Sequence, residues 1–132
     1  MAGTIISDRI EDNTGTSLPT STVVTGCVKA RVLYNLIAQT VTESYNISSV
    51  TYTSTGVFTI NFTNAMANAN YIVAGSTNSV SGTKYSGWCG PRFENSLTTT
   101  SATIETFCIT EPGTVPGPSN AVLTSVVIIG QG

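Results

Sequence analysis

The feature that most constrains this chain is its punctuation. Short runs of β-branched and aromatic residues alternate with turn signals, and only Asn64–Asn70 looks remotely helical, with three asparagines that favour a turn instead. The clearest case is a hairpin. Ser49-Val50-Thr51-Tyr52 leads through Thr53-Ser54-Thr55-Gly56 into Val57–Thr63, where Phe58, Ile60 and Phe62 share one face and Gly56 supplies the permissive turn dihedral. Over Cys27–Tyr34 the same period of two places Val28, Ala30, Val32 and Tyr34 opposite Cys27, Lys29, Arg31 and Leu33, which describes a half-exposed strand.

Further strands are expected at 71–76, at 85–88 and at 102–110, the last with Ala102, Ile104, Thr106 and Cys108 facing away from Thr103, Glu105, Phe107 and Ile109. The segment 111–118 holds three prolines, which remove donors and fix φ, so it reads as an exposed loop without a ladder. Beyond it, 121–129 is almost continuously apolar, the pattern of a strand buried on both faces, placed centrally in the sandwich or against a neighbouring chain. Seven or eight short strands in 132 residues imply one all-β domain, a single antiparallel β-sandwich. A chain of this size buries a little under ~70% of its unfolded surface, enough for a core without staples.

Residues 1–22 differ from the rest. Three of the seven acids crowd into Asp8–Asp12, a turn-rich Asn13–Ser17 run follows, and then comes Pro19. This part reads as an extended N-terminal arm ahead of a β-domain spanning 23–132. The arm's apolar residues Ile5, Ile6, Ile10 and Leu18 are candidate docking contacts on a neighbouring subunit; the competing reading is a terminal strand on the chain's own domain.

Charge and chemistry narrow the function by exclusion. Only 9% of residues are charged, whereas Ser and Thr fill 38 of 132 positions, so the surface is hydroxyl-rich and has few of the edge lysines that discourage strand-to-strand association. Five cations and a net charge of −2 do not make a phosphate-tracking face, so no nucleic-acid partner is expected. No apolar run reaches membrane-spanning length and no signal peptide is apparent, so a cytosolic product without a membrane span is expected. The absence of histidine removes the usual nucleophile pairs and general base, and the carboxylates outside the arm (Glu43, Glu94, Glu105 and Glu111) are scattered, so no enzyme is expected. No phosphate loop, dinucleotide fingerprint or calcium loop occurs, and no cofactor or metal is assigned. Cys27, Cys89 and Cys108 read as buried free thiols, with a Cys89–Cys108 bridge as the alternative. The best recognition candidates lie in 84–93, where Tyr85, Trp88, Arg92 and Phe93 would suit either a subunit contact or a host surface glycan.

Lys29-Ala30, the run Glu43–Thr51 and the run Ser54–Tyr71, together with the closing Ser125–Gly130, resemble a module of bacteriophage tail-fibre and other virion-appendage proteins. In that module a Lys-Ala strand precedes a Ser-aromatic-Asn-Val/Ile-Ser-Ser segment. A Thr-Gly-x-aromatic-Thr-Val/Ile-Asn-Phe-Thr hairpin follows, then Ala-Met and Ala-Asn-Tyr. Arg31–Tyr34 departs from the pattern and 76–120 lies outside it, so no residue role is carried over there. The resemblance implies a structural virion protein, assembled in the host cytoplasm and commonly homotrimeric, that contacts other virion proteins. The alternatives it leaves open are a glycan-binding receptor tip and a capsid decoration protein.

Overall fold

The computed structural model describes residues 8–78, 86–93, 96–108 and 117–130, with backbone alone at Thr25, Ser86 and Cys108. It is almost entirely antiparallel β-structure. Arg9–Glu11 (β1) and Ser17–Pro19 (β2) form a separate hairpin, followed by the helix Thr20–Gly26 (α1). Nine strands build the main sheet: Val28–Asn35 (β3), Thr40–Tyr45 (β4), Ile47–Ser54 (β5), Val57–Phe62 (β6), Ile72–Asn78 (β7), Ser86–Pro91 (β8), Ser101–Cys108 (β9), Gly117–Pro118 (β10) and Leu123–Ile129 (β11).

The all-β antiparallel architecture is the one the alternation demands, and its strands join in one continuous sheet of order β4-β3-β11-β7-β8-β9-β6-β5. The sheet curls until its two ends nearly meet, because its end strands β4 and β5 are consecutive in the chain and Asn46 joins them. One face is therefore enclosed. Ala30, Val32 and Tyr34 of β3, Phe58, Ile60 and Phe62 of β6, Ala102 and Ile104 of β9, and Val126 and Ile128 of β11 make one core. Tyr34 and Phe58 lie with ring centroids 5.2 Å apart, and Phe62 meets Tyr71 edge-on at 5.8 Å. The Tyr71 hydroxyl satisfies itself by donating toward the carbonyls of Thr98 (2.9 Å) and Ser101 (3.0 Å).

The hairpin β5–β6 forms as its pattern requires, with Val50 opposite Ile60 and Tyr52 opposite Phe58. Gly56 turns it with φ +71, and a Cβ there would lie 2.6 Å from the Ser119 nitrogen. Its amide donates to Asn120 Oδ1 (2.8 Å), and its carbonyl accepts from Thr106 N (2.8 Å), so the turn is locked against both β9 and the approach to β11.

Four expectations need correction. The stretch from Val23 does not begin a strand: α1 carries Val23 and Val24 across the expected border at 22/23, and the main sheet starts at Val28. That helix is short, β-branched and without a side-chain cap, so its own sequence contributes little to it. Gly117–Pro118 does form a ladder, Gly117 opposite Cys108 and Pro118 opposite Phe107, because β6 stops at Val57 and leaves the end of β9 open on that side. Proline is tolerated at such an edge, and Ser119 N–H carries the bond to Thr106 O (3.1 Å). The remaining prolines of that loop, Pro112 and Pro116, lie outside the described residues. β11 is central, between β3 and β7, as expected, but within one chain it buries only Thr124, Val126 and Ile128. Leu123, Ser125, Val127 and Ile129 stay half-buried on the outer face, so burial on both faces is not reached inside the chain itself. Finally, Cys27 is exposed, whereas Cys89 is the buried free thiol expected and is not bridged. The Cys108 side chain lies outside the described residues.

Candidate functional site

Among the described residues, two surfaces bear the exposed contact candidates that register aligns. The first is the arm hairpin. Asp12 closes its turn: the carboxylate Oδ1 accepts from Thr14 N (2.8 Å), Thr14 Oγ1 (2.7 Å) and Thr16 N (3.0 Å), while Gly15 takes φ +84. The Thr14 hydroxyl and the two amides hold the Asp12 carboxyl below its ordinary value of 3.8. Register then sets Ile10 directly opposite Leu18, and both remain over half exposed, at 54% and 53%. Val24 of α1 is exposed to a similar degree, 56%. Two of the four expected arm contacts are thus brought together; Ile5 and Ile6 lie outside the described residues.

The second surface is the outer face of the main sheet. Successive strand registers align Phe107 (β9), Trp88 (β8), Ser76 (β7), Ser125 (β11), Leu33 (β3) and Glu43 (β4) in one row across it. Trp88 lies nearly parallel to Phe107, with planes 18° apart and centroids at 5.8 Å, and it keeps 48% of its surface exposed. Beside it the Ser76 and Ser125 hydroxyls are 3.1 Å apart. Further along, Arg31, Leu33, Glu43, Ser125 and Val127 surround a shallow depression of about 150 Å³, and Arg31 pairs with Glu43 at its rim.

The expected recognition residues of 84–93 do not gather in one place. Trp88 belongs to a strand, whereas Arg92 and Phe93 follow that strand's far end, where Arg92 N donates to Thr103 O (3.1 Å). Thr103 and Phe107 are four residues apart on β9, so the two places are separated by about 13 Å. There the Arg92 guanidinium carbon lies 4.7 Å from the Phe93 ring centre, and Phe93 is 66% exposed. Tyr85 lies outside the described residues. What sequence reasoning missed is the company Trp88 keeps: alternation sets Phe107 on the Glu105 face, but only the strand order reveals that Ser76 and Ser125 come next.

Among the described residues no three His, Cys, Asp or Glu side chains gather where a metal ion would need them, and no helix is long and apolar enough to cross a membrane. Glu43 is engaged by Arg31, and Glu94 lies outside the described residues. Compared with known proteins, the chain matches no family model, no curated protein and no solved structure.

Proposed function

We propose that this chain is a non-catalytic structural module of a bacteriophage virion, a short appendage unit that assembles with copies of itself and attaches to other virion proteins through its N-terminal arm. The observation that carries the reading is the Ile10–Leu18 pair. A two-stranded hairpin with three residues a side is marginal on its own in water, and this one turns its two large apolar side chains outward. Covering them on a partner removes apolar surface from water at about 25 cal/mol per Å², which stabilises both the hairpin and the contact.

Two further features support it. β4 is an end strand with all six residues exposed, Val41 and Tyr45 among them, and without Lys or Pro; the bulge at Thr42 and the charge of Glu43 are what blunts it. Such an edge suits pairing with another copy, in keeping with the homotrimer implied by the resemblance. The resemblance itself runs through Asn46, the β5–β6 hairpin and Tyr71, the segment that joins the two ends of the sheet.

The test has two parts. Size-exclusion chromatography with light scattering should give a mass several times that of one chain, and Ile10→Asp with Leu18→Asp should abolish attachment to particle proteins while the β-domain stays folded. Mass spectrometry and gold labelling of purified phage particles should find the protein on the virion, at the tail for an appendage or over the head lattice for a decoration protein. A monomer at micromolar concentration that is absent from particles would sink the proposal.

A further inference from the structure

We infer that the outer face of the sheet over β8, β7 and β11 binds a neutral oligosaccharide, with Trp88 stacking on a sugar ring and the Ser76 and Ser125 hydroxyls holding its hydroxyl groups.

The placement of the residues carries this. Phe107 stacks against the Trp88 indole, and about half of the Trp88 surface (48%) stays exposed. A fixed, flat, half-exposed aromatic is the surface that the C–H face of a pyranose needs. Register then puts Ser76 one strand away and Ser125 two strands away, about 5 and 10 Å across the sheet. Ser125 Oγ also lies 3.4 Å from the Ser76 carbonyl, so the protein engages the two hydroxyl protons, and what the pair offers a sugar is chiefly its remaining acceptor lone pairs. The depression bordered by Leu33, Val127 and the Arg31–Glu43 pair continues the same row beyond Ser125. From Trp88 to Glu43 the row crosses four strand spacings, about 19 Å, which suits a chain of sugars and not a single ring.

Charge selects the occupant. Among the described residues the cation on this row's rim is Arg31, which pairs with Glu43, and Glu105 stands on the outer face of β9, opposite Gly90. Among the described residues no unpaired cation along the row draws a polyanion, which favours a neutral sugar over an acidic polysaccharide or a nucleic acid. A protein partner wants a continuous apolar centre at the contact, whereas small hydroxyl-bearing residues separate the aromatic pair from Leu33 here.

The stacking residue and the two serines stand on β8, β7 and β11, apart from the Ile10–Leu18 pair of the arm, and only the far end of the row reaches β4 at Glu43. Sugar binding can therefore fail while arm attachment stands, and the reverse. Trp88 is the sole tryptophan, which makes its fluorescence a direct reporter. The full chain would be titrated with maltohexaose, isomaltohexaose and chitohexaose, and with polysialic acid as the anionic arm. At least one neutral hexasaccharide should give a saturable change in emission and polysialic acid none. Calorimetry should show binding weakened roughly tenfold or more by Trp88→Ala, weakened less by Ser125→Ala, and unchanged by Phe93→Ala. Trp88→Phe should retain part of the affinity. No saturable response to any neutral sugar, a response to polysialic acid alone, or full affinity in Trp88→Ala would overturn the inference. So would a change of oligomeric mass in Trp88→Ala, which would make this face a subunit contact.

Discussion

At the scale of single residues, Asn46 ties together parts of the fold that no single strand pairing joins. It stands between β4 and β5, the two ends of the sheet, in the left-handed region at φ 56, which asparagine tolerates better than most residues. Its Nδ2 donates to the Lys29 carbonyl (3.0 Å) and the Asn64 carbonyl (3.2 Å), its Oδ1 accepts from Asn64 N (2.8 Å), and its own carbonyl accepts from Thr63 N (3.1 Å). One residue thus clasps the start of β3 to the end of β6. Asn46→Ala keeps the Thr63 bond but leaves the Lys29 carbonyl and the Asn64 amide and carbonyl without these partners. It also puts a methyl at a positive φ, so it should cost about 2–4 kcal/mol of unfolding free energy in urea denaturation. Asn46→Gly loses the same side-chain bonds without the dihedral strain, and should be less damaging by about 1 kcal/mol. An alanine variant within about 0.5 kcal/mol of the parent, the range of ordinary surface substitutions, would show that the clasp is not needed.

At the scale of elements, stability is uneven, and the arm hairpin should melt before the sheet does. Its turn depends on the ionised Asp12, whose pKa is lowered chiefly by its hydrogen bonds to Thr14 and then to Thr16. A lowered value means that the carboxylate's contribution is complete above pH 3.8 and disappears as pH falls through the lower folded-state value. Amide resonances of Thr14 and Thr16 should therefore lose their hairpin shifts on acidification while those of β6 and β9 hold. Asp12→Asn, which keeps an acceptor oxygen, should remove the pH dependence; a hairpin indifferent to acid would count against the carboxylate's role. The same unevenness explains what could be read from sequence. β3, β6 and β9 were legible because one face of each is buried, which forces a period of two. β4 was not, because all six of its residues are exposed and no alternation is imposed. α1 and β10 exist through context, the first beside β2 and the second at an edge vacated by β6, and neither leaves a trace in its own residues. For the contact surfaces, Ile10, Leu18 and Trp88 stood out as residues, whereas the row from Phe107 to Glu43 depends on a strand order that alternation does not encode.

At the scale of the whole molecule, a single enclosed core holds three ionisable groups in their neutral forms, and this makes the fold sensitive to alkali. Burial pushes the Cys89 thiol from 9.0 up to about 12, and burial likewise raises Tyr34 and Tyr71 above 10.0, the first with help from Tyr52 and the second despite its hydrogen bond to Thr98. A folded-state value above the unfolded one means that stability is fully present below the unfolded value and lost as pH rises toward the folded one. The midpoint of thermal unfolding should accordingly be flat through neutrality and fall as pH climbs from 9.0 toward about 12, first because of Cys89 and then because of the tyrosines. Cys89→Ala should delay the onset of that fall, since the two tyrosines then act alone. The thiols offer an independent readout under mildly alkaline, native conditions. Iodoacetamide should modify exposed Cys27 at once, but Cys89, packed beneath Gly75 and against the Ser125 carbonyl, only as fast as the sheet opens, as peptide mapping would resolve. Equal labelling rates at Cys27 and Cys89 in the folded protein would mean that the sheet opens at β7–β8 far more readily than a single enclosed core allows.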